Sequence, residues 1–268
     1  MALKDITLGQ YFPGNTIIHR MDPRAKLLLT VLYIVALFLA KGLLAYGVLF
    51  AVLAIWVAIS KVNPKAILRG MKPILFILVF TGILNIFYTP GRELWHWGFL
   101  TITVEGLWSA FFMVIRILML IACTFLLTYT TSPIMLTDGL ENLMGPLKKL
   151  HVPVHELAMM MSIALRFIPT LIEETDKIMS AQKARGADFE TGNLIQKAKA
   201  MVPLLVPLFI SAFRRADELA IAMECRCYHG GDGRTRLRQL KYRPFDFVAL
   251  GLGLALCVAI FFLSRAGL

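Results

Sequence analysis

The sequence contains no Gly-Lys pair, and therefore no Gly-x-x-x-x-Gly-Lys-Ser/Thr loop. Such a loop cradles nucleotide phosphates with its backbone N–H groups, so its absence excludes a P-loop ATPase. Acidic residues are also scarce, with 17 Asp and Glu against 28 Lys and Arg. The first 26 residues lack the apolar core of a secretory signal peptide. We therefore expect the first hydrophobic run to be retained as a membrane span.

Cysteine is sparse, and its placement does not suggest a disulfide framework. Cys123 and Cys257 fall inside apolar runs, while Cys225 and Cys227 lie in a basic segment. This pattern favours a reduced, cytosol-facing setting. Cys225, Cys227 and His229 do not form a convincing metal site, because residues two apart on a helix point apart. We predict no metal site, cofactor or catalytic site.

Hydrophobic residues make up 58% of the chain and its mean hydropathy is +0.70, whereas soluble domains are about 45–50% apolar. The excess is concentrated in long runs, in which Arg116 and Asp246 are the only charged residues. A helix needs about 20 apolar residues to cross a bilayer. The sequence predicts an all-α integral membrane protein with about five transmembrane helices, at Leu27 to Ala40, Leu43 to Ser60, Pro73 to Thr89, Leu107 to Tyr129 and Phe245 to Leu263.

The distribution of charge predicts the orientation of these spans. With a cytoplasmic N-terminus, 24 Lys and Arg face the cytoplasm, and only Lys41, Arg92 and Arg265 face outside. Lys and Arg favour the cytoplasmic side, so we predict a multi-pass protein of the bacterial cell membrane in this orientation. Nucleic-acid binding is a weaker explanation of the net charge of +11, because the basic residues flank spans and alternate with acids.

The predicted organisation has three parts: an N-terminal membrane region with four spans (1–130), a cytoplasmic region (131–243) and a C-terminal transmembrane helix (244–268). The middle region holds 12 of the 17 acidic residues. It is predicted to form three helices, at about 132–150, 154–183 and 194–224. The start of the second is apolar enough to be a sixth span.

The second and third of these helices are amphipathic. In the third, Phe213, Ala216, Ala220 and Met223 are predicted to share a face. Helices of this length must bury their apolar stripe. Periodicity alone leaves two interpretations open: the helices pack on each other or on the membrane surface, or they form a docking surface for partners.

Each of these two helices ends in an arginine between small residues. The motifs are Ala184-Arg185-Gly186 and Cys225-Arg226-Cys227, with the arginines 41 positions apart. One such motif is typical of an ordinary helix C-terminus, where an arginine compensates the dipole. Two copies on successive amphipathic helices instead favour a guanidinium that reaches into a groove and binds a carboxylate.

Longer motifs extend over nearly the whole chain, and together they resemble the transmembrane T component of energy-coupling factor (ECF) transporters of the shared-module, vitamin-uptake type. In that family the second arginine motif is often Ala-Arg-Gly, so Cys-Arg-Cys is a departure. The motifs that carry the resemblance are His19 to Arg24, Thr131-Ser132-Pro133, Leu165 to Thr170, Gln182 to Ala187, Phe213 to Glu218 and Gly230 to Arg236.

The resemblance implies a coupling role for region 131–243. Two ABC-type ATPases would each accept one arginine motif, at Ala184, Arg185, Gly186 and at Cys225, Arg226, Cys227. An exchangeable, membrane-embedded substrate-binding S component would dock on the apolar face of the coupling helices, and ATP would be hydrolysed only on the partners. The residues expected at that docking face are Leu157, Met160, Met161, Ala164 and Ile168.

Two rival functions make different demands on the sequence. A secondary transporter with its own substrate site would show repeated spans and matching intramembrane charges. The five predicted spans are unequal and do not repeat, and Arg116 has no counterpart in another span. A membrane-embedded enzyme needs convergent catalytic groups, which are not apparent. For Arg116 we favour a hydrogen bond to a neighbouring helix over a contact with a moving partner.

Overall fold

A computed structural model describes residues 11–97, 100–189, 193–230 and 239–265, with 93–97, 100–102 and 194 described by their backbone alone. Most of this chain is helical, as predicted. In chain order the elements are α1 (Ile17–Arg20), α2 (Pro23–Leu39), α3 (Leu43–Ser60), α4 (Pro64–Tyr88), β1 (Glu93–Trp97), β2 (Leu100–Thr103), α5 (Val104–Thr130), α6 (Pro133–Leu143), a 3₁₀ helix (Gly145–Leu150), α7 (Val154–Ala184), α8 (Leu194–Glu224) and α9 (Pro244–Arg265).

The helix starts follow local capping chemistry. Asp22 and Asn63 accept hydrogen bonds from backbone N–H groups of the first helical turn, and each is followed by a proline. Proline is well suited to this position because its missing N–H would have no helical partner there. Ser132 likewise precedes Pro133, and its Oγ accepts a hydrogen bond from the N–H of Met135 at 3.4 Å. Ser132 thus caps the start of α6, close to the predicted helix start at about residue 132.

One element was not expected from the sequence, a short antiparallel hairpin of β1 and β2 between α4 and α5. It ends at Thr103, whose hydroxyl donates to the Thr89 carbonyl at 2.8 Å and accepts from the N–H of Gly106 at 3.0 Å. At Gly106 an added Cβ would lie 2.8 Å from the carbonyl oxygen of Ile86. The hairpin and this glycine therefore set the close approach of α4 and α5.

The number of spans agrees with the prediction of about five to six. By length and composition, six described helices are able to cross a membrane: α3, α4, α5, α7, α8 and α9. Of the five predicted spans, only α2 falls outside this group, because its 17 residues make it shorter than all six of these helices. The two least hydropathic helices of the group are α7 and α8, which the sequence analysis assigned mainly to the cytoplasmic region.

The chain divides into two compact units, whose boundaries fall at residues 139/140 and 239/240. The larger unit includes α1 to α5 and α9. Its core consists of side chains that are at most 5% exposed, among them Tyr33, Leu37, Leu49, Met119 and Ile260. This core lies between α2, α3, α5 and α9. The domain boundaries expected from the sequence, at 130/131 and 243/244, stay a prediction.

A polar network joins the start of α2 to the start of α9. The carboxylate of Asp246, which is 1% exposed, accepts hydrogen bonds from the N–H groups of Asp22 at 3.3 Å and Arg243 at 2.8 Å. The Asp22 carboxylate in turn pairs with the Arg24 guanidinium at 3.0 Å. That guanidinium lies 4.0 Å from the ring centroid of Tyr242. Asp246 thus carries a charge within an apolar run because backbone donors solvate it.

The same segment also binds the end of α5. The buried ammonium of Lys26 donates to the carbonyl of Thr130 at 2.9 Å and to Oγ1 of Thr131 at 3.0 Å. The last carbonyls of a helix lack intrahelical donors, and a cation there is favourable. Residues 22–26 therefore hold both the last residue of α5 and the first turn of α9. These are the two ends from which the region between residues 131 and 243 extends.

Arg116 forms hydrogen bonds within the larger unit, as the sequence analysis predicted. Its Nε donates to the Tyr46 hydroxyl at 2.9 Å, and its Nη2 donates to the carbonyl of Ala40 at 3.4 Å. Both acceptors lie near the turn between α2 and α3. The charge is thereby satisfied by neighbouring elements of this chain.

Replacement of Asp246 by alanine tests the network. Each buried donor left without an acceptor costs about 1–3 kcal/mol, so we expect Asp246→Ala to lower the free energy of unfolding by about 2–4 kcal/mol. Thermal unfolding of the purified chain in detergent measures this. The exposed Asp217 on α8 supplies a control, because Asp217→Ala removes the same charge at a solvated position. Equal melting temperatures for the two variants would contradict the assignment.

Candidate functional site

The second compact unit contains α7 and α8, two helices of 31 residues each. Of their described side chains only Val154 and Leu204 are buried. Both helices are apolar enough to qualify as membrane spans, yet most of their apolar side chains are not covered by this chain. This pair is the candidate functional site.

The two helices pack antiparallel through one face of each. The face of α7 carries Ile163, Phe167 and Leu171 at four-residue spacing, and the two helices enclose an apolar groove. The α8 residues lining the same groove are Ala212, Arg215, Ala216, Leu219, Ala220 and Met223. The middle of α7 therefore lies against the second half of α8.

The predicted apolar face of α8 is only partly confirmed. Ala216, Ala220 and Met223 line the groove against α7. Phe213, which the sequence analysis placed with them, is 70% exposed and lies outside it. Phe213 belongs instead to a second stripe that the sequence analysis missed. That exposed stripe comprises Met201, Val202, Leu205, Val206, Phe209, Ile210 and Phe213.

Two polar contacts of the described residues join the helices. At the end of α7, the side-chain Nε2 of Gln182 donates to the carbonyl of Pro203 at 3.4 Å. That carbonyl would normally accept from the residue four positions later, but this residue is Pro207, which has no N–H. The Gln182 side chain thus supplies the donor that the proline removes.

The second polar contact lies midway along the pair. The Glu174 carboxylate accepts hydrogen bonds from the Ser211 hydroxyl and, at 2.9 Å, from the Arg215 guanidinium. Side-chain exposures of 36% for Arg215 and 21% for Glu174 place this ion pair at the edge of the apolar seam. An ion pair with a second hydrogen bond fixes the relative orientation of two helices better than apolar contact alone.

The first arginine motif ends α7 in a defined turn. The N–H of Ala187 donates to the carbonyl of Gln182, and the N–H of Gly186 donates to that of Lys183, both at 3.0 Å. This is the hydrogen-bond pattern of a Schellman motif. It requires a left-handed residue directly after Arg185, and Gly186 has a φ of 87°.

The second arginine motif repeats the same turn at the end of α8. The N–H of Tyr228 donates to the carbonyl of Met223 at 3.1 Å, and the N–H of Cys227 donates to that of Glu224 at 2.8 Å. Cys227 occupies the left-handed position with a φ of 56°. Cys-Arg-Cys therefore adopts the backbone turn of Ala-Arg-Gly, although a non-glycine residue is strained there.

Both arginines are presented to solvent. Arg185 and Arg226 are exposed, as are Ala184, Gly186, Cys225 and Cys227 beside them. Within the part of the chain that the structure describes, neither guanidinium has a hydrogen bond or an ion pair. Because α7 and α8 are antiparallel, the two arginines lie at opposite ends of the pair.

The residues predicted to dock a membrane partner lie on α7 away from the groove. Leu157, Met160, Met161 and Ala164 are exposed, and Ile168 is partly exposed. Met160 and Met161 are more than half exposed, at 54% and 53%. The structure thus leaves this stripe uncovered, beside the positions Ile163 and Phe167 that face α8.

Comparison with known proteins gives one consistent family. The family model "CbiQ: Cobalt transport protein" matches residues 14–237. Three curated relatives are each named "Energy-coupling factor transporter transmembrane protein EcfT". The relative from Clostridium kluyveri is 57% identical over 98% of both chains, and that from Ruminiclostridium cellulolyticum is 56% identical over 93% of this chain and 94% of its own. The relative from Acidaminococcus fermentans is 53% identical over 97% of both.

The left-handed turn at Cys227 leads to a stability prediction. An L-residue in this conformation costs about 1–2 kcal/mol, so we expect Cys227→Gly to stabilise the end of α8 by about 1 kcal/mol. Gly186→Ala should destabilise the end of α7 by a similar amount. Hydrogen exchange at the amides of Cys227 and Gly186 measures both effects. Faster exchange at residue 227 in Cys227→Gly would contradict the prediction.

Proposed function

We propose a coupling function for this chain from one premise: the chain belongs to the CbiQ family of cobalt transport proteins and is a multi-pass transmembrane component of an energy-coupling factor transporter. The proposed function is to transmit ATP-driven conformational change from two ABC-type ATPases to an exchangeable S component. The chain itself is proposed to be non-catalytic, with ATP hydrolysed on the partners.

The main support for the proposal is the incomplete burial of α7 and α8, whose described side chains are buried only at Val154 and Leu204. Two long helices with apolar stripes on both sides of their shared seam are unfavourable in water, because the stripes remain uncovered. One face of each helix is partly covered by the other helix. The remaining faces are therefore available to partners or to lipid.

The arginine motifs are the proposed contacts with the ATPases. Each presents an exposed guanidinium, without a partner among the described residues, on a rigid turn flanked by small residues. A planar guanidinium of this kind suits a bidentate pair with a carboxylate in a narrow groove. Since the two motifs have the same backbone turn and lie at opposite ends of one helix pair, they suit two similar partners.

The exposed stripe of Leu157, Met160, Met161, Ala164 and Ile168 is the proposed docking site of the S component. Methionine side chains are flexible and polarisable, so they adapt to different surfaces. A face that must accept exchangeable partners benefits from this property. Specificity for a vitamin or another micronutrient is then a property of the S component.

The proposed location is the bacterial cell membrane, with a cytoplasmic N-terminus. The excess of Lys and Arg in the segments assigned to the cytoplasm supports this orientation. The rival function, a secondary transporter, receives less support. Its best candidate for a functional intramembrane charge, Arg116, is bonded to Tyr46 and Ala40 of this chain.

Reversal of both arginine charges tests the ATPase contacts. We expect Arg185→Glu with Arg226→Glu to abolish co-purification of the ATPases and uptake, because each new carboxylate would face an acidic groove. Insertion of the chain into the membrane should be unaffected. The matched control is Arg166→Glu with Arg214→Glu, which reverses two exposed mid-helix charges. An intact, active complex from the Arg185/Arg226 double variant would overturn the proposal.

A bulky substitution tests the docking stripe. Ala164→Trp should block co-purification of small membrane partners while the ATPases stay bound, because an indole does not fit a surface shaped for a methyl group. Ser180→Trp adds the same side chain to an exposed position on another side of α7. The proposal fails if both variants retain, or both lose, the membrane partner.

A further inference from the structure

The C-terminal halves of α7 and α8, with the arginine motifs that follow them, share several residues at a shift of 41 positions and so form a partial repeat. Asp176 and Ala181 in α7, and Arg185 directly after it, match identical residues 41 positions later. Similar residues also match at the same shift, for example Thr170 with Ser211 and Ile178 with Leu219. The two helices have equal lengths of 31 residues. The repeat therefore covers the ends of both helices and both arginine motifs.

The contacts between the helices are consistent with this repeat. In an antiparallel pair of equivalent helices, a twofold axis passes through the point where equivalent positions meet. Glu174 and Arg215 are 41 positions apart, and they form the ion pair in the middle of the seam. The pair α7–α8 thus has an approximate twofold axis at Glu174 and Arg215.

The two helices carry different residues at the axis, where identical residues would be unfavourable. Two identical charged residues at the axis would place like charges together. Here α7 contributes an acid and α8 a base, and the Ser211 hydroxyl adds a second donor to the same carboxylate. The contact at the axis is consequently attractive.

The two arginine motifs lie at equal distances from this contact. Arg185 follows Glu174 by 11 residues, and Arg226 follows Arg215 by 11 residues. At 1.5 Å per residue each arm is about 16 Å long. Any change in the angle between the helices at the ion pair would therefore move both arginines by similar amounts.

We propose that Glu174, Ser211 and Arg215 are positioning residues that form the pivot of a two-armed lever, setting the separation of Arg185 and Arg226. The inference rests on the proposed function for its consequence in transport. With the pivot intact, the two arginines are held at one separation. With the pivot broken, the apolar seam allows several helix angles, and motion of one arm is no longer passed fully to the other.

The separation of the two ends can be measured in the chain alone. Spin labels on Cys225 and on Ala184→Cys occupy equivalent positions, each directly before an arginine. Cys227→Gly and Cys257→Ala remove the other accessible thiols, while Cys123 is buried and stays. We expect one narrow distance distribution for the chain in lipid nanodiscs, broadened by Glu174→Gln. The charge-reversed pair Glu174→Arg with Arg215→Glu should narrow it again.

Neighbouring residues provide matched controls. Glu173 and Arg214 are exposed and directly precede the pivot residues. Glu173→Gln and Arg214→Gln should leave the distribution unchanged. If Glu174→Gln gives the same distance distribution as Glu173→Gln, the proposal that Glu174 forms the pivot is overturned. This measurement needs no ATPase, so its failure is distinguishable from failure of the arginine contacts.

The assembled transporter tests the consequence for transport. In reconstituted complexes, Glu174→Gln should lower the substrate taken up per ATP hydrolysed several-fold, while the ATPases stay bound, and the charge-reversed pair should recover part of the loss. A merely structural role would lower assembly rather than this ratio. An unchanged ratio in Glu174→Gln would overturn the role in transport.

Discussion

Incomplete burial of α7 and α8 is the constraint on which the functional features of this protein depend. Each helix is long and apolar, and each is only partly covered, along one face, by the other. Two helices in this condition need further partners or lipid to cover their remaining faces. Polar contacts must then define how the two helices cross, because apolar packing along a single seam allows a range of crossing angles. Glu174, Ser211 and Arg215 provide such a contact near the middle.

The larger unit, which includes α1 to α5 and α9, holds charged residues close to apolar spans. It pairs two of these charges with backbone groups that helix ends leave unsatisfied. Lys26 binds the last carbonyl of α5, and Asp246 binds N–H groups before α9. Burial of these charges costs little free energy because the backbone groups at the helix ends need hydrogen-bond partners. As a result, both ends of the region between them are held at residues 22–26.

Much of this organisation could be predicted from residue patterns. Long apolar runs predicted α2 to α5 and α9, and the expected helices at about 154–183 and 194–224 agree closely with α7 and α8. Local capping chemistry at Ser132 was also predictable, because it involves neighbours in sequence. The hairpin of β1 and β2 was not predicted. Its strands are short, and their pairing depends on the ends of α4 and α5.

The membrane class, the helices and the two arginine motifs can be read from residue patterns, because these depend on hydropathy and on residues within a few positions of each other. Which helix faces are covered is known only from the folded chain. It separated Phe213 from the seam, joined Glu174 to Arg215, and showed that Cys227 adopts the left-handed turn of Gly186. The pairing of faces depends on how two helices meet in space, and no periodicity within one helix specifies that.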